Sequence, residues 1–170
     1  STQPLNQKSA QSYYAKFLSI ERELKDLHFE TSEPDNDYLI NSAQCFKLAT
    51  QIYLRLVAFN GGISSEQIQT THAKLLDELR LVIHERQRRR SFPLWLLFIA
   101  ACACSEDTDR KIVMDLFFTI NSKWPISNIA TVLKAITTIW QGRDLGATSS
   151  SWRQDWQETI EKFGWKLSLS

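Results

Sequence analysis

The chain has 170 residues with a net charge of +1, 43% hydrophobic and 23% charged residues. That length suits one domain able to bury its own core, and the balanced charge gives no overall field for nucleic acid or an anionic membrane. Five glycines and four prolines are few, so long helices are expected.

Residues 8 to 29 place Tyr13, Phe17, Ile20, Leu24 and Leu27 at spacings of 4, 3, 4 and 3, which predicts one apolar face of a helix. A polar connector with Pro34 follows. The next helix is predicted from Asp37 to Asn60, with Leu39, Ala43, Phe46, Ile52, Tyr53, Leu56 and Val57 spread over more than one stripe. Asn60-Gly61-Gly62 would close it. A third helix starts near Ser64, read as a cap with Gln67 three residues on. Its stripe is Ile68, His72, Leu75, Leu79 and Val82 or Ile83, and it ends in the cations Arg86 to Arg90. These complement the negative end of a helix dipole; the alternative readings are a nuclear import signal or a phosphate patch.

Phe92 to Cys104 contains no charged residue. The run is shorter than the roughly 20 apolar residues of a membrane span, so it reads as a buried helix with Pro93 in its first turn. Ser105 is the expected cap of a fifth helix, with Glu106, Asp107 and Asp109 in its first turn and Ile112, Val113, Leu116, Phe117 and Ile120 along it. Ser127 would cap a sixth, carrying Ile129, Val132, Leu133, Ile136, Ile139 and Trp140. After a polar loop a seventh runs from about Trp152 to Phe163, closed by Gly164. No alternating strand pattern occurs. The expected fold is all-α, a compact bundle of about seven helices, with residues 1–170 as one domain.

Catalytic and metal constellations are not assembled by this sequence. On a helix Cys102 and Cys104 would point about 200° apart, and His28, His72 and His84 lack ligand spacing, so no metal site is expected. Neither a nucleophile elbow nor a phosphate loop is present. Cys45, Cys102 and Cys104 read as reduced, buried thiols of an intracellular protein. No catalytic residue and no cofactor are expected. Trp95, Phe98 and Cys102 fall at spacings of 3 and 4, with Ile99 beside them. The stripe reads as core, or as the wall of an apolar ligand pocket between helices.

The order of landmarks from residue 92 onward carries a resemblance. "FPLWLLFIAAC" is followed by "SEDTDRKIVMDLF", with its Asp109-Arg110 pair, then by "NIATVLKAITTIWQGRD", closing in Trp140, Arg143 and Asp144, then by "WRQDWQETIEKFGWKLSLS". Together they resemble the C-terminal regulatory region of fungal transcription factors, the second fungal-specific transcription factor domain family, which includes the sterol-responsive regulators of yeasts. The resemblance implies a nuclear regulatory domain that controls transcription. It implies an apolar small-molecule effector, sterol-like or a pathway metabolite, near Trp95, Phe98, Ile99 and Cys102, or docking of a protein partner or a second copy. It also implies that DNA is bound only through a zinc cluster in an N-terminal domain not contained in this chain, whose three cysteines have the wrong number and spacing for that cluster. The alternative is a ligand-free structural or dimerisation domain, with the first helix as the pairing element.

Overall fold

The computed structural model describes residues 7–30, 37–58, 62–85, 92–123 and 128–146. Within them the chain forms six helices and no strand: α1 (Gln7–Asp26), α2 (Asp37–Ala58), α3 (Glu66–Glu85), α4 (Leu94–Ala103), α5 (Asp107–Lys123) and α6 (Ile129–Asp144). The all-α bundle expected from the sequence is what the chain folds into. The seventh helix from Trp152, the Ser127 cap, the Gly61 end of the second helix and Arg86–Arg90 lie outside the described residues.

α4 is the central post. It packs against α2, α3, α5 and α6, and every residue of it except Trp95 is buried. A helix that is apolar all round has no solvent face and must be surrounded. Each buried Leu, Ile or Phe there contributes about 1.5–3 kcal/mol of apolar transfer free energy. Ala100, Ala101 and Ala103 let neighbouring helices approach its last turns closely. No described helix is long and apolar enough to cross a membrane.

α3 buries the predicted stripe in full: Ile68, His72, Leu75, Leu79, Val82 and Ile83. α5 contributes Val113, Leu116, Phe117 and Ile120 to the core. α6 contributes Ile129, Val132, Ile136, Ile139 and Trp140, with Leu133 half-buried.

The helix starts differ from the sequence reading by about one residue, and each difference has a local cause. A turn from Gly62 (Ser65 N–H to Gly62 O, 2.9 Å) places Ser65 at the cap of α3 in place of Ser64. Its Oγ accepts the Ile68 N–H at 3.4 Å. Gln67, expected to close a capping box, instead accepts a hydrogen bond from the Arg55 guanidinium of α2. Pro93 stands just outside α4, in extended conformation, and its carbonyl accepts the Leu96 N–H at 3.1 Å. Ser105 does not cap α5; the first carbonyl in use is that of Glu106, which accepts the Arg110 N–H at 3.2 Å. Asn128 precedes α6, and its carbonyl accepts the Val132 N–H at 3.1 Å. Gly146, at φ 63°, closes α6 in the left-handed conformation that glycine adopts without strain.

α1 is attached differently. Of its stripe, Phe17 and Leu24 are half-buried, while Tyr13 (57%), Ile20 and Leu27 remain exposed. Polar pins from α2 hold it: Lys47 Nζ donates to the carbonyls of Lys25 (3.0 Å) and Leu27 (2.7 Å), and Arg55 forms an ion pair with Glu21.

Candidate functional site

The last carbonyls of a helix have no partner within it, and a buried helix end must find donors elsewhere. α4 ends in the core, at Cys104, with neither a glycine nor water-facing chain to satisfy them. Four side chains from two other helices do so. His72 Nε2 bonds the Ala100 carbonyl at 2.9 Å and Gln69 Nε2 donates to the Ala103 carbonyl at 3.1 Å, both from α3. Trp140 Nε1 donates to the Ala101 carbonyl at 2.9 Å and Arg143 Nη1 to the Cys102 carbonyl at 2.9 Å, both from α6. Four consecutive carbonyls of one helix end are thus held from two sides, the outer two by α3 and the inner two by α6.

A second layer fastens α5 to this clamp. Arg110 makes a two-pronged pair with Asp144, both N–O distances 2.8 Å, and its guanidinium lies 5.4 Å from the Trp140 ring centroid. The Asp144 hydrogen bond holds Arg110 still more firmly protonated, and the same bond holds the Asp144 carboxyl below its ordinary range. Planar fork-to-carboxylate pairing with an aromatic face beneath fits arginine and would be lost with lysine. Asp107, in the first turn of α5, adds a looser contact to Arg110 at 3.4 Å. Asp109 faces inward instead, 3.9 Å from His72 Nδ1.

His72 is 1% exposed, the buried polar member of an otherwise apolar stripe. Because Nε2 serves a carbonyl, that nitrogen carries the proton in the neutral ring. Burial lowers its pKa, opposed by the Ala100 bond and by Asp109. The cysteines are inert by the same physics. Burial, aided by Glu78, pushes the Cys45 thiol up to about 12. Burial raises Cys104 as well, above the range in which a thiolate forms. All three cysteines are buried and no disulfide joins them.

The residues expected to line a ligand site are strung along α4, from Trp95 in its first turn to Cys102 in the clamped last turn, and burial parts them. Phe98, Ile99 and Cys102 are sealed in the core. Trp95 alone reaches the surface. Phe46 of α2 stacks on it (centroids 6.2 Å, planes 15° apart) and Tyr53 meets it edge-on at 6.3 Å. Phe46 is itself 42% exposed, so an aromatic shelf opens outward at the α2–α4 seam.

Sequence reasoning did not find Gln69 and Arg143 as carbonyl donors. The available signal was a buried helix followed by a cysteine where glycine or a water-facing residue would normally satisfy the end. Among the described residues no group of three His, Cys, Asp or Glu side chains is placed to hold a metal ion.

The landmarks that ordered the resemblance, Asp109-Arg110 and Trp140 with Arg143 and Asp144, are parts of one clamp around α4. No curated protein and no solved structure matches the chain. The model of the fungal specific transcription factor domain matches residues 2–170, and the chain therefore belongs to that family of transcription regulator domains.

Proposed function

We propose that residues 1–170 form the effector-responsive regulatory domain of a nuclear transcription factor, in which an apolar group received on the Trp95 shelf biases the packing of α4. DNA would be contacted by a separate zinc cluster domain of the same protein. The observation that supports this reading is the asymmetry of α4: one aromatic side chain open to solvent on an otherwise buried helix whose far end is held by α3 and α6. A ligand stacking on Trp95 and Phe46 and reaching toward Phe98, Ile99 and Cys102 would have to displace α4 to be buried. It would act by binding one of two packings more tightly than the other. The effector class that the family resemblance favours is a sterol or another apolar pathway metabolite.

Tryptophan fluorescence and Tm, recorded with sterols and their biosynthetic intermediates, test it. A shift present in the native chain and absent in Trp95→Phe supports the shelf. Unchanged spectra and Tm with every probe, at concentrations above their expected Kd, remove the effector reading.

A second reading has its own observation. Tyr13, Ile20 and Leu27 leave three of the five residues of the α1 stripe exposed, which suits pairing with a second copy or a partner helix. Sedimentation across a concentration series decides: a strict monomer ends the self-association version.

A further inference from the structure

We infer that His72 is a proton-operated latch: neutral, it closes the junction of α3, α4 and α5, and a proton added to its ring opens that junction.

The neutral ring is used on one side only. Nε2 carries hydrogen to the Ala100 carbonyl at 2.9 Å. Nδ1 is then a bare acceptor, turned toward Asp109 Oδ2 at 3.9 Å, too far for a hydrogen bond. Protonation makes Nδ1 a donor with no acceptor in reach. The Asp109 carboxylate, already turned inward, must close the remaining gap and pull on the first turn of α5 that carries it, or the ring must leave the core and abandon the Ala100 carbonyl. Either response disturbs the point at which α3, α4 and α5 meet.

The groups around the ring decide which protonation state the closed form prefers. From α5, Asp109 favours the cation. Its side chain is 25% exposed, so water screens its field. From the end of α4, the Cys104 thiol lies 3.9 Å from Nε2 and shares the Ala100 carbonyl at 3.4 Å, a neutral neighbour that cannot balance a positive ring. Arg110 of α5 and Arg143 of α6 bring positive charge to that same thiol. Burial at 1% exposure acts on the ring without screening and dominates, which is why the pKa is lowered despite Asp109.

The sign follows. The closed junction binds fewer protons at His72 than an open one, where the ring titrates near 6.5. The stabilisation is complete above that pH. As pH falls from there toward the depressed value, the ratio of open to closed junction rises about tenfold per unit. The latch therefore works as pH falls below about 6.5, well above the range in which Asp144, held below an ordinary carboxylate, titrates.

The test combines imidazole NMR titration with urea unfolding of the full chain. His28 and His84 are exposed; His28→Gln and His84→Gln variants remove their signals, leaving the His72 ring to be followed directly. A midpoint below 6.5 is expected. The urea midpoint should fall between pH 7.5 and 5.5 in the native chain and stay nearly constant in His72→Gln, whose amide can still donate to the Ala100 carbonyl but does not titrate. A ring midpoint at or above 6.5 overturns the inference, and so does a His72→Gln variant that loses as much on acidification as the native chain. If His72→Gln does not fold, the ring titration alone decides.

Discussion

The two ends of α4 solve opposite problems. At the C-terminal end the difficulty is polar: carbonyls without helical partners, buried where water does not satisfy them. Side chains of α3 and α6 meet it with directed hydrogen bonds of 2.9–3.1 Å. At the N-terminal end the difficulty is apolar: Trp95 faces the edge of the bundle, and Phe46 and Tyr53 cover it only in part. Directed bonds to fixed carbonyls admit one arrangement. Ring stacking tolerates sliding and substitution. The comparison teaches that α4 is anchored by directed bonds at its polar end and covered by undirected ring contacts at its aromatic end, the asymmetry on which the proposed function rests.

The largest effect should come from the post itself. Leu97 is fully buried midway along α4. Leu97→Ala is expected to cost about 2–5 kcal/mol through lost burial and a cavity that rigid neighbours cannot fill. Urea unfolding would measure it. A loss below about 1 kcal/mol would mean that α4 is not the centre of the core, and the comparison of its ends would lose its basis.

Next comes the clamp. Trp140→Phe keeps an aromatic ring over Arg110 and removes the donor to Ala101. An unsatisfied buried acceptor costs about 1–3 kcal/mol. The Cys104 N–H already reaches the same carbonyl at 3.3 Å, which places the expected loss toward the lower end of that range. Gln69→Leu should cost at least a similar amount, since Gln69 Nε2 serves the Ile63 carbonyl at 2.6 Å as well as that of Ala103. If both substitutions are neutral in urea melts, the carbonyls are satisfied by some other route and the anchored end is not anchored.

These two predictions also separate what the sequence makes legible from what it does not. The core status of α4 follows from an uncharged run too short for a bilayer, and the α3 stripe follows from spacing, His72 included. Periodicity reports which face is inward. It does not report what that face touches. The donors to the α4 carbonyls lie 28 to 41 residues away in sequence, so only the packing of α3 and α6 brings them together. The four-residue ligand stripe shows the same limit. Trp95, Phe98, Ile99 and Cys102 have helical spacing, but on a helix buried all round spacing cannot say which member is uncovered. Phe46 and Tyr53, from a different helix, settle that. Cap positions differed by one residue because Ser64 and Ser65 are equal as cap residues, and the turn from Gly62 chooses between them.

At the aromatic end a smaller effect is expected. Phe46→Leu removes the stacked partner of Trp95 while leaving an apolar side chain of smaller size. Aromatic pairs contribute about 0.5–1.5 kcal/mol beyond area burial, and Phe46 is partly exposed, so the loss in urea should lie near or below 1 kcal/mol. Trp95 emission should shift toward longer wavelength as water reaches the ring. A loss as large as that of Leu97→Ala would make the shelf part of the fixed core and would end the contrast between the two ends.

The smallest effect belongs to α1, and it sharpens the comparison by supplying a surface outside it. Leu27 is exposed, and its backbone carbonyl, not its side chain, is what Lys47 holds at 2.7 Å. Leu27→Ser keeps that carbonyl and should change stability by no more than about 0.5 kcal/mol, as for other exposed positions without special contacts. Lys47→Met removes both bonds to the end of α1 and should cost more than Leu27→Ser, although both alter the same corner. Limited proteolysis separates them: cleavage near residue 27 should accelerate in Lys47→Met and stay unchanged in Leu27→Ser. The opposite order would show α1 held by apolar contact, in the manner of the core helices, in place of the two polar pins from α2.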